Sequence, residues 1–464
     1  MIALAAVALA GCTTVDGDAA FDETASKIAL EGDAVLIWDR GGEGDREIDR
    51  IVAGLLAEPL TAAGAVQIGL LRNPELQAVY ADLGIAQAAV AQAGRPRNPV
   101  FDATLDFPED GGPVSLDFGL AFEFLDLLFV PLRKRVAASE LETARLAVTG
   151  GVLDLESRLR HGFRTVQAGQ QRLELFEQVT QAAAASLTAA RSLRQAGNIT
   201  ELDLLNEQSF AADAQLAREE ARLAVVKARD ELSLLMGLAG NERDWRIDRR
   251  LPDPPETGLA VGALPARALE ASLALAAAAQ TITTQGAQYR VTNIAALIPE
   301  LEAGLEAERD DGAWEIGPAF ALPVPLFDQG QARRAIARYE IERAQKLYLA
   351  VADRVRAQSG VLDARIVEAR GRAIRYRSEI LPLTARILDR TQRQFNAMQL
   401  GVFELLTAKR RQIAAATGYV EALDDYWAAR IDVEALLKGH LPAGGVDAAR
   451  PVLPASGTAA VGDH

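Results

Sequence analysis

The side chains able to do chemistry are few and far apart. The histidines stand at His161, His440 and His464, the one cysteine is Cys12, and the methionines are Met1, Met236 and Met398. A transition-metal centre needs imidazole or sulfur ligands at short spacing, and nucleophilic catalysis needs a base beside the nucleophile. The spacing supplies neither, so the sequence reads as a non-enzyme with no metal site and no cofactor. Residues 34–47, "AVLIWDRGGEGDRE", imitate a strand running into a phosphate loop. They lack the Lys-Ser/Thr of a P-loop and the spacing of G-x-G-x-x-G, and their acids would repel phosphate.

The chemistry left is that of carboxylates in rows. Asp and Glu number 64 against 49 Lys and Arg, a formal net charge of −15, which argues against the clustered cationic surface that binds nucleic acid. In "SLDFGLAFEFLD" (115–126), Leu116, Phe118, Leu120, Phe122 and Phe124 alternate with Ser115, Asp117, Gly119, Ala121 and Glu123. "ELEAGLEAE" (300–308) sets Glu300, Glu302, Gly304, Glu306 and Glu308 against Leu301, Ala303, Leu305 and Ala307. Trp314, Ile316, Phe320 and Leu322 alternate with Glu315, Gly317, Ala319 and Ala321, and "VFDATLDF" (100–107) is a less regular fourth strand. Period two gives each strand one apolar and one acidic or small face. Outer-membrane barrels carry this dyad, apolar to lipid and polar to lumen, which makes Asp117, Glu123, Glu300, Glu302 and Glu306 candidate lumen residues. Such barrels have at least ~8 strands, so four strands require further copies of the chain.

The elements that must hold these strands come in duplicate. "AGNITELDLLNEQ" (196–208) aligns with "AMQLGVFELLTAK" (397–409), and "FGLAFEFLDLLF" (118–129) with "IGPAFALPVPLF" (316–327). The near-constant offset indicates internal duplication. Each copy runs from a helix (about 62–94, with a weaker counterpart at 263–290) through two strands into a very long helix, 132–195 or 331–398. A turn and a return helix follow, about 200–237 and 402–438. Seven-residue apolar spacing in the long helices argues for coiled-coil packing, and Pro382 predicts a kink in the second. The chain therefore divides into repeat 1 (62–240, strands about 100–107 and 115–126), a linker (241–262), repeat 2 (263–441, strands about 299–308 and 313–323) and a disordered tail (442–464). The fold class is mainly α with a small β part.

The N-terminus, "MIALAAVALAGC", joins an apolar run to small residues and a cysteine. That is the pattern of a lipoprotein signal peptide, 1–11, ahead of an acylated Cys12 and an N-terminal segment, 12–61. No later run has the ~18 apolar residues of a membrane-spanning helix.

Together these features resemble the TolC-like outer-membrane efflux channel family, over about residues 62–441. The most specific pieces are "NPELQAVYADLGIAQAAVAQAGRPRNPVF" (73–101), "GPAFALPVPLFDQGQARR" (317–334) and the two tips "AGNITELDLLNEQ" and "LGVFELLTAK". The resemblance implies a homotrimer in the outer membrane, a 12-stranded β-barrel continued by a helical barrel into the periplasm. It implies a passive exit duct for tripartite efflux or type I secretion, with outer-membrane lipid, a periplasmic adaptor and an inner-membrane pump of the RND type as partners. It places an adaptor seam at Gly197, Leu204, Leu205, Gly401, Leu405 and Leu406, and a periplasmic aperture at Glu404 and Asp203. Some relatives carry a second aperture acid three residues on, where this chain has Thr407. The competing reading is a lipid-anchored periplasmic coiled-coil scaffold, which leaves the four acidic-faced strands unexplained.

Overall fold

A computed structural model describes residues 18–28, 34–107, 115–248, 250–258, 262–297, 302–310, 313–321 and 326–442. Cys12, Glu300, the prolines Pro323 and Pro325 and the tail beyond 442 lie outside the described residues. The chain forms two compact units, one of residues up to Phe163 with Arg229–Asp248 and Leu273–Asp353, the other of Arg164–Ala228, Arg249–Ser272 and the residues from Arg354 on.

The first unit opens with helices α1 (Asp18–Ala25), α2 (Glu43–Ala57), α3 (Ala62–Arg72) and α4 (Pro74–Ala93). The single helix expected over 62–94 is divided at Asn73-Pro74. The Asn73 side chain accepts the Leu76 N–H, Pro74 takes the first helical position, where its missing N–H costs nothing, and Asn73 Nδ2 donates to the Leu235 carbonyl at 2.8 Å. Strands β1 (Val100–Asp106) and β2 (Ser115–Phe122) follow, then α5 (Asp126–Gln195), which returns as α6 (Glu201–Leu235). The second copy repeats this order with α7 (Leu264–Ala271), α8 (Leu273–Leu297), β3 (Glu302–Asp310), β4 (Ala313–Ala321), α9 (Gln331–Arg375), α10 (Leu381–Asn396) and α11 (Val402–Leu437).

The expected break at Pro382 is a π-turn, Tyr376–Ile380, between α9 and α10. Pro382 cannot donate to the ladder, and the wider turn makes room for its ring. Helix α5 begins six residues ahead of the expected 132 and carries Pro131 inside it. Its start is held by Asp126, whose buried carboxylate takes the Arg133 guanidinium and the Arg97 backbone N–H, the latter at 3.1 Å. Strand β2 correspondingly ends at Phe122.

Tyr80, Ile68, Leu70, Leu71, Leu83, Leu159, Leu232, Met236 and Trp245 are fully buried in the first unit. Close helix approach is set at Gly69, where an added Cβ would lie 2.4 Å from Leu159 Cδ1. The extended segment 34–40 is fastened to α3 and α4 by two amide side chains. Gln67 accepts the Val35 N–H and donates to its carbonyl, while Gln77 accepts the Asp39 N–H at 2.9 Å and donates to the Ile37 carbonyl. These amides occupy the backbone groups that a strand partner would otherwise take.

The sheet is antiparallel in the order β1-β2-β3-β4. Its register pairs Asp117 with Glu308 and Glu308 with Glu315, so the polar residues of successive strands fall on one face. The outer strands β1 and β4 each have one sheet neighbour among the described residues.

Candidate channel lining and hairpin tips

The polar face of the sheet is built in rows. Thr104, Asp117, Glu308 and Glu315 lie opposite one another, and Asp102, Gly119, Glu306 and Gly317 form the next row. Like charges at facing positions destabilise a sheet, so the face is tolerable beside water and ions and costly against a core. The small residues give the carboxylates room: the Asp102 side chain lies over Gly119, where an added Cβ would meet Oδ1 at 2.3 Å.

The opposite face is oily and uncovered. Leu105, Leu120, Leu305, Trp314, Ile316 and Phe320 are all exposed. Phe101 stacks on Phe118 at 6.1 Å, and Phe118 on Trp314 at 6.0 Å. Phe118 and Trp314 come from strands on either side of β3, whose small Ala307 pairs with Phe118 and lets the rings meet. A contiguous apolar surface of this kind marks a face that meets lipid or another protein.

Of the lumen candidates, Asp117 and Glu306 stand on the acidic face. Glu302 opens β3, and nothing is described of its side chain. Glu123 is outside the strand, at the junction with α5, where its carboxylate takes both hydrogen bonds of the Arg97 guanidinium at 2.9 and 3.0 Å. Alternation carried it into the strand on paper; the Arg97 and Asp126 contacts end the strand first. Asp102, Glu308 and Glu315 join Asp117 and Glu306 on the acidic face among the described side chains; Asp102 was hidden by the irregular pattern of "VFDATLDF".

The tips belong to the second unit. Gly197 has φ +76° and ends α5 in a left-handed turn, with the Asn198 N–H donating to the Leu193 carbonyl at 2.8 Å. Its counterpart in the second tip is Met398, at φ +57°, with the Gln399 N–H on the Gln394 carbonyl at 2.9 Å. Gly401 is instead an extended N-cap, φ −83°, for α11.

Asp203 is drawn into a capping box. Its Oδ2 accepts from the Thr200 N–H at 3.0 Å and from the Thr200 hydroxyl at 2.7 Å, while Thr200 Oγ1 accepts the Asp203 N–H. Glu404 holds the matching position in the second tip, exposed, with Oε2 close above Gly401.

The seam residues divide by burial. Leu405 and Leu406 are each 4% exposed, and Leu406 packs with Ala183, Phe210, Ala211, Ala214 and Val402. Within this chain they are core, so their apolar character is explained without a partner. Leu204 is half-buried and Leu205 exposed. The apolar residues that stand out are Leu202 and Phe403, 67% and 68% exposed, with Met398 at 90%. Leu202 and Phe403 are equivalent in the duplication, a signal the aligned tips already contained.

A sheet amphipathic across four strands, joined to two long helical hairpins, has the fold of outer-membrane channels. The outer membrane efflux protein family matches residues 65–238, which spans the first repeat. A cobalt-zinc-cadmium resistance protein, CzcC of Cupriavidus metallidurans, is 25% identical over 82% of this chain and 90% of its own length. The solved outer-membrane channel OprN superposes with a TM-score of 0.69 at 18% identity, covering 90% of this chain and 95% of that one. The open-state MtrE channel of Neisseria gonorrhoeae gives a TM-score of 0.68 at 15% identity, over 82% of this chain and 89% of its own. The chain thus matches the outer membrane efflux protein family over its first repeat and shares the fold of solved outer-membrane channels over most of its length.

Proposed function

We propose that the chain is one subunit of a passive, trimeric exit duct in the outer membrane. The observation that carries this reading is the sheet, with carboxylates on one face, exposed aromatic and aliphatic side chains on the other, and outer strands that have one neighbour each among the described residues. Four strands cannot close a barrel around water; three copies joined β4 to β1 give twelve and remove every edge. The acidic face then borders the lumen and the Phe101–Phe118–Trp314 row meets lipid. The duct performs no chemistry and takes its energy from an inner-membrane pump through a periplasmic adaptor.

The exposed Leu202, Leu205, Met398 and Phe403 are the residues we assign to the adaptor contact, and Glu404 to a thin acidic ring at the aperture. Acylation of Cys12 would add a lipid anchor. The acidic lining suits cationic cargo, and the curated relative is named for cobalt, zinc and cadmium resistance. The test is the mass of the purified protein in detergent with its single-channel conductance in planar bilayers. A trimer forming discrete cation-preferring pores supports the duct. A monomer that stays silent, also after Glu404→Gly and Asp203→Gly loosen both tips, would overturn it.

A further inference from the structure

The segment between the repeats is a clamp built into the second unit. Leu251 is 4% exposed and sits among Ala373, Ala422 and Leu423, with Ala168, Tyr376, Tyr419 and Trp427 packed around it. These side chains come from α5, α9, the π-turn and α11, so the cluster that holds Leu251 draws on both hairpins. Its backbone is held from all sides. Gln171 accepts the Leu251 N–H at 3.1 Å, Gln167 donates to the Arg250 carbonyl at 3.3 Å and Trp427 donates to the Pro252 carbonyl at 2.8 Å. Arg370 donates to the carbonyls of Pro255, at 3.0 Å, and Glu256.

Asp253 is the polar centre of the clamp. Its Oδ2 takes the Arg377 guanidinium at 3.3 Å and its Oδ1 accepts from the Tyr419 hydroxyl. Arg377 lies inside the π-turn, the one place where the long helix of the second hairpin leaves α-helical register. Tyr376, the first residue of that turn, lies against α11 over Gly418, where an added Cβ would be 2.5 Å from its hydroxyl oxygen. A π-turn beside a proline is the point at which a long helix bends most easily, and here it is pinned by a segment that also grips the first hairpin.

We propose that residues 250–258 are a latch: through Asp253, Arg377 and Tyr419 they pin the π-turn to α11, through Gln167 and Gln171 they tie it to the first hairpin, and so they restrain the swing of α10 and the tip at 397–402. The proposal rests on the duct reading for its consequence, restraint of the duct's opening, and on the contacts above for the latch itself.

Two readouts on the full-length protein separate these levels. The variants are Asp253→Asn and Tyr419→Phe, which keep the shape of the clamp, with Arg375→Gln as a control that removes a neighbouring charge outside these bonds. Amide hydrogen exchange over 376–402 is expected to quicken ~3-fold or more in both latch variants while 62–93 and the control stay unchanged. Open probability in planar bilayers should rise with unitary conductance unaltered. Unchanged exchange overturns the latch whether or not pores form. Faster exchange with unchanged open probability in a conducting protein overturns its role in opening. Faster exchange with no pores from any variant keeps the latch and refutes the duct.

Discussion

Neutralising the acidic face should abolish much of the duct's cation preference, and the size of the effect follows from the sheet. Asp102, Asp117, Glu306, Glu308 and Glu315 are the acids with described side chains on that face, and the basic Arg309 alternates onto the other. Twelve strands ~4.8 Å apart and tilted ~40° give a barrel of roughly 12 Å radius. The Debye length is ~10 Å at 0.1 M salt and ~3 Å at 1 M. At the lower salt the wall charges therefore reach the axis, and at the higher they act only on ions at the wall. The variant Asp117→Asn/Glu306→Gln/Glu315→Gln removes three of these described carboxylates in every copy. In a tenfold KCl gradient around 0.1 M, where perfect selectivity gives ~59 mV, the reversal potential should move toward zero by at least ~10 mV. Near 1 M, wild type and variant should converge. A reversal potential unchanged by the three substitutions at low salt would refute the assignment of this face to the lumen.

Three further outcomes follow from packing and charge. Gly69→Ala should destabilise the first unit by about 1–3 kcal/mol in chemical denaturation, because Leu159 is wholly buried and has nowhere to go; Leu159→Ala in the same chain should restore part of that loss. Gly197→Ala should cost about 1 kcal/mol and loosen the first tip in hydrogen exchange, while Met398→Gly, at the equivalent left-handed position, should leave the second tip unchanged or tighter. Arg133 and the Arg97 N–H, acting against burial, which pushes the carboxyl up, hold Asp126 below the usual carboxylate range. A depressed acid contributes stability that is complete above the unfolded value and lost as pH falls through the folded one. Melting temperature should therefore drop below about pH 4, and Asp126→Asn should lower stability at neutral pH while flattening that acid limb.

Much of this architecture was legible because its signals are periodic. Alternation located all four strands, and the register then placed Asp117, Glu306, Glu308 and Glu315 together, as the pattern required. Duplication gave the order of the helices, and Pro382 marked the break in the second hairpin. Junctions were harder to read, because tertiary contacts decide them. Asp126 pulls the helix start forward and leaves Glu123 paired with Arg97, and Asn73 splits a helix whose apolar periodicity runs straight through. At the tips, leucines read as a seam proved unequal. Leu405 and Leu406 fall on the inner side of α11, and a helix face cannot be assigned inward or outward without its neighbours. The stretch 241–262 had the composition of a linker, and nothing in that composition shows Leu251 as a buried plug or Asp253 as a bridge.

The central claim is that β4 of one copy pairs with β1 of the next until three have closed a ring. Cys12 is the chain's one natural thiol, so new cysteines can report the pairing. The decisive measurement is disulfide cross-linking in outer membranes, with a cysteine at Ile316 in β4 scanned against single cysteines along β1 from Phe101 to Leu105. Closure requires at least one register to give a covalent species of three chains and nothing larger. No cross-link at any register, or a ladder climbing past three, would contradict it.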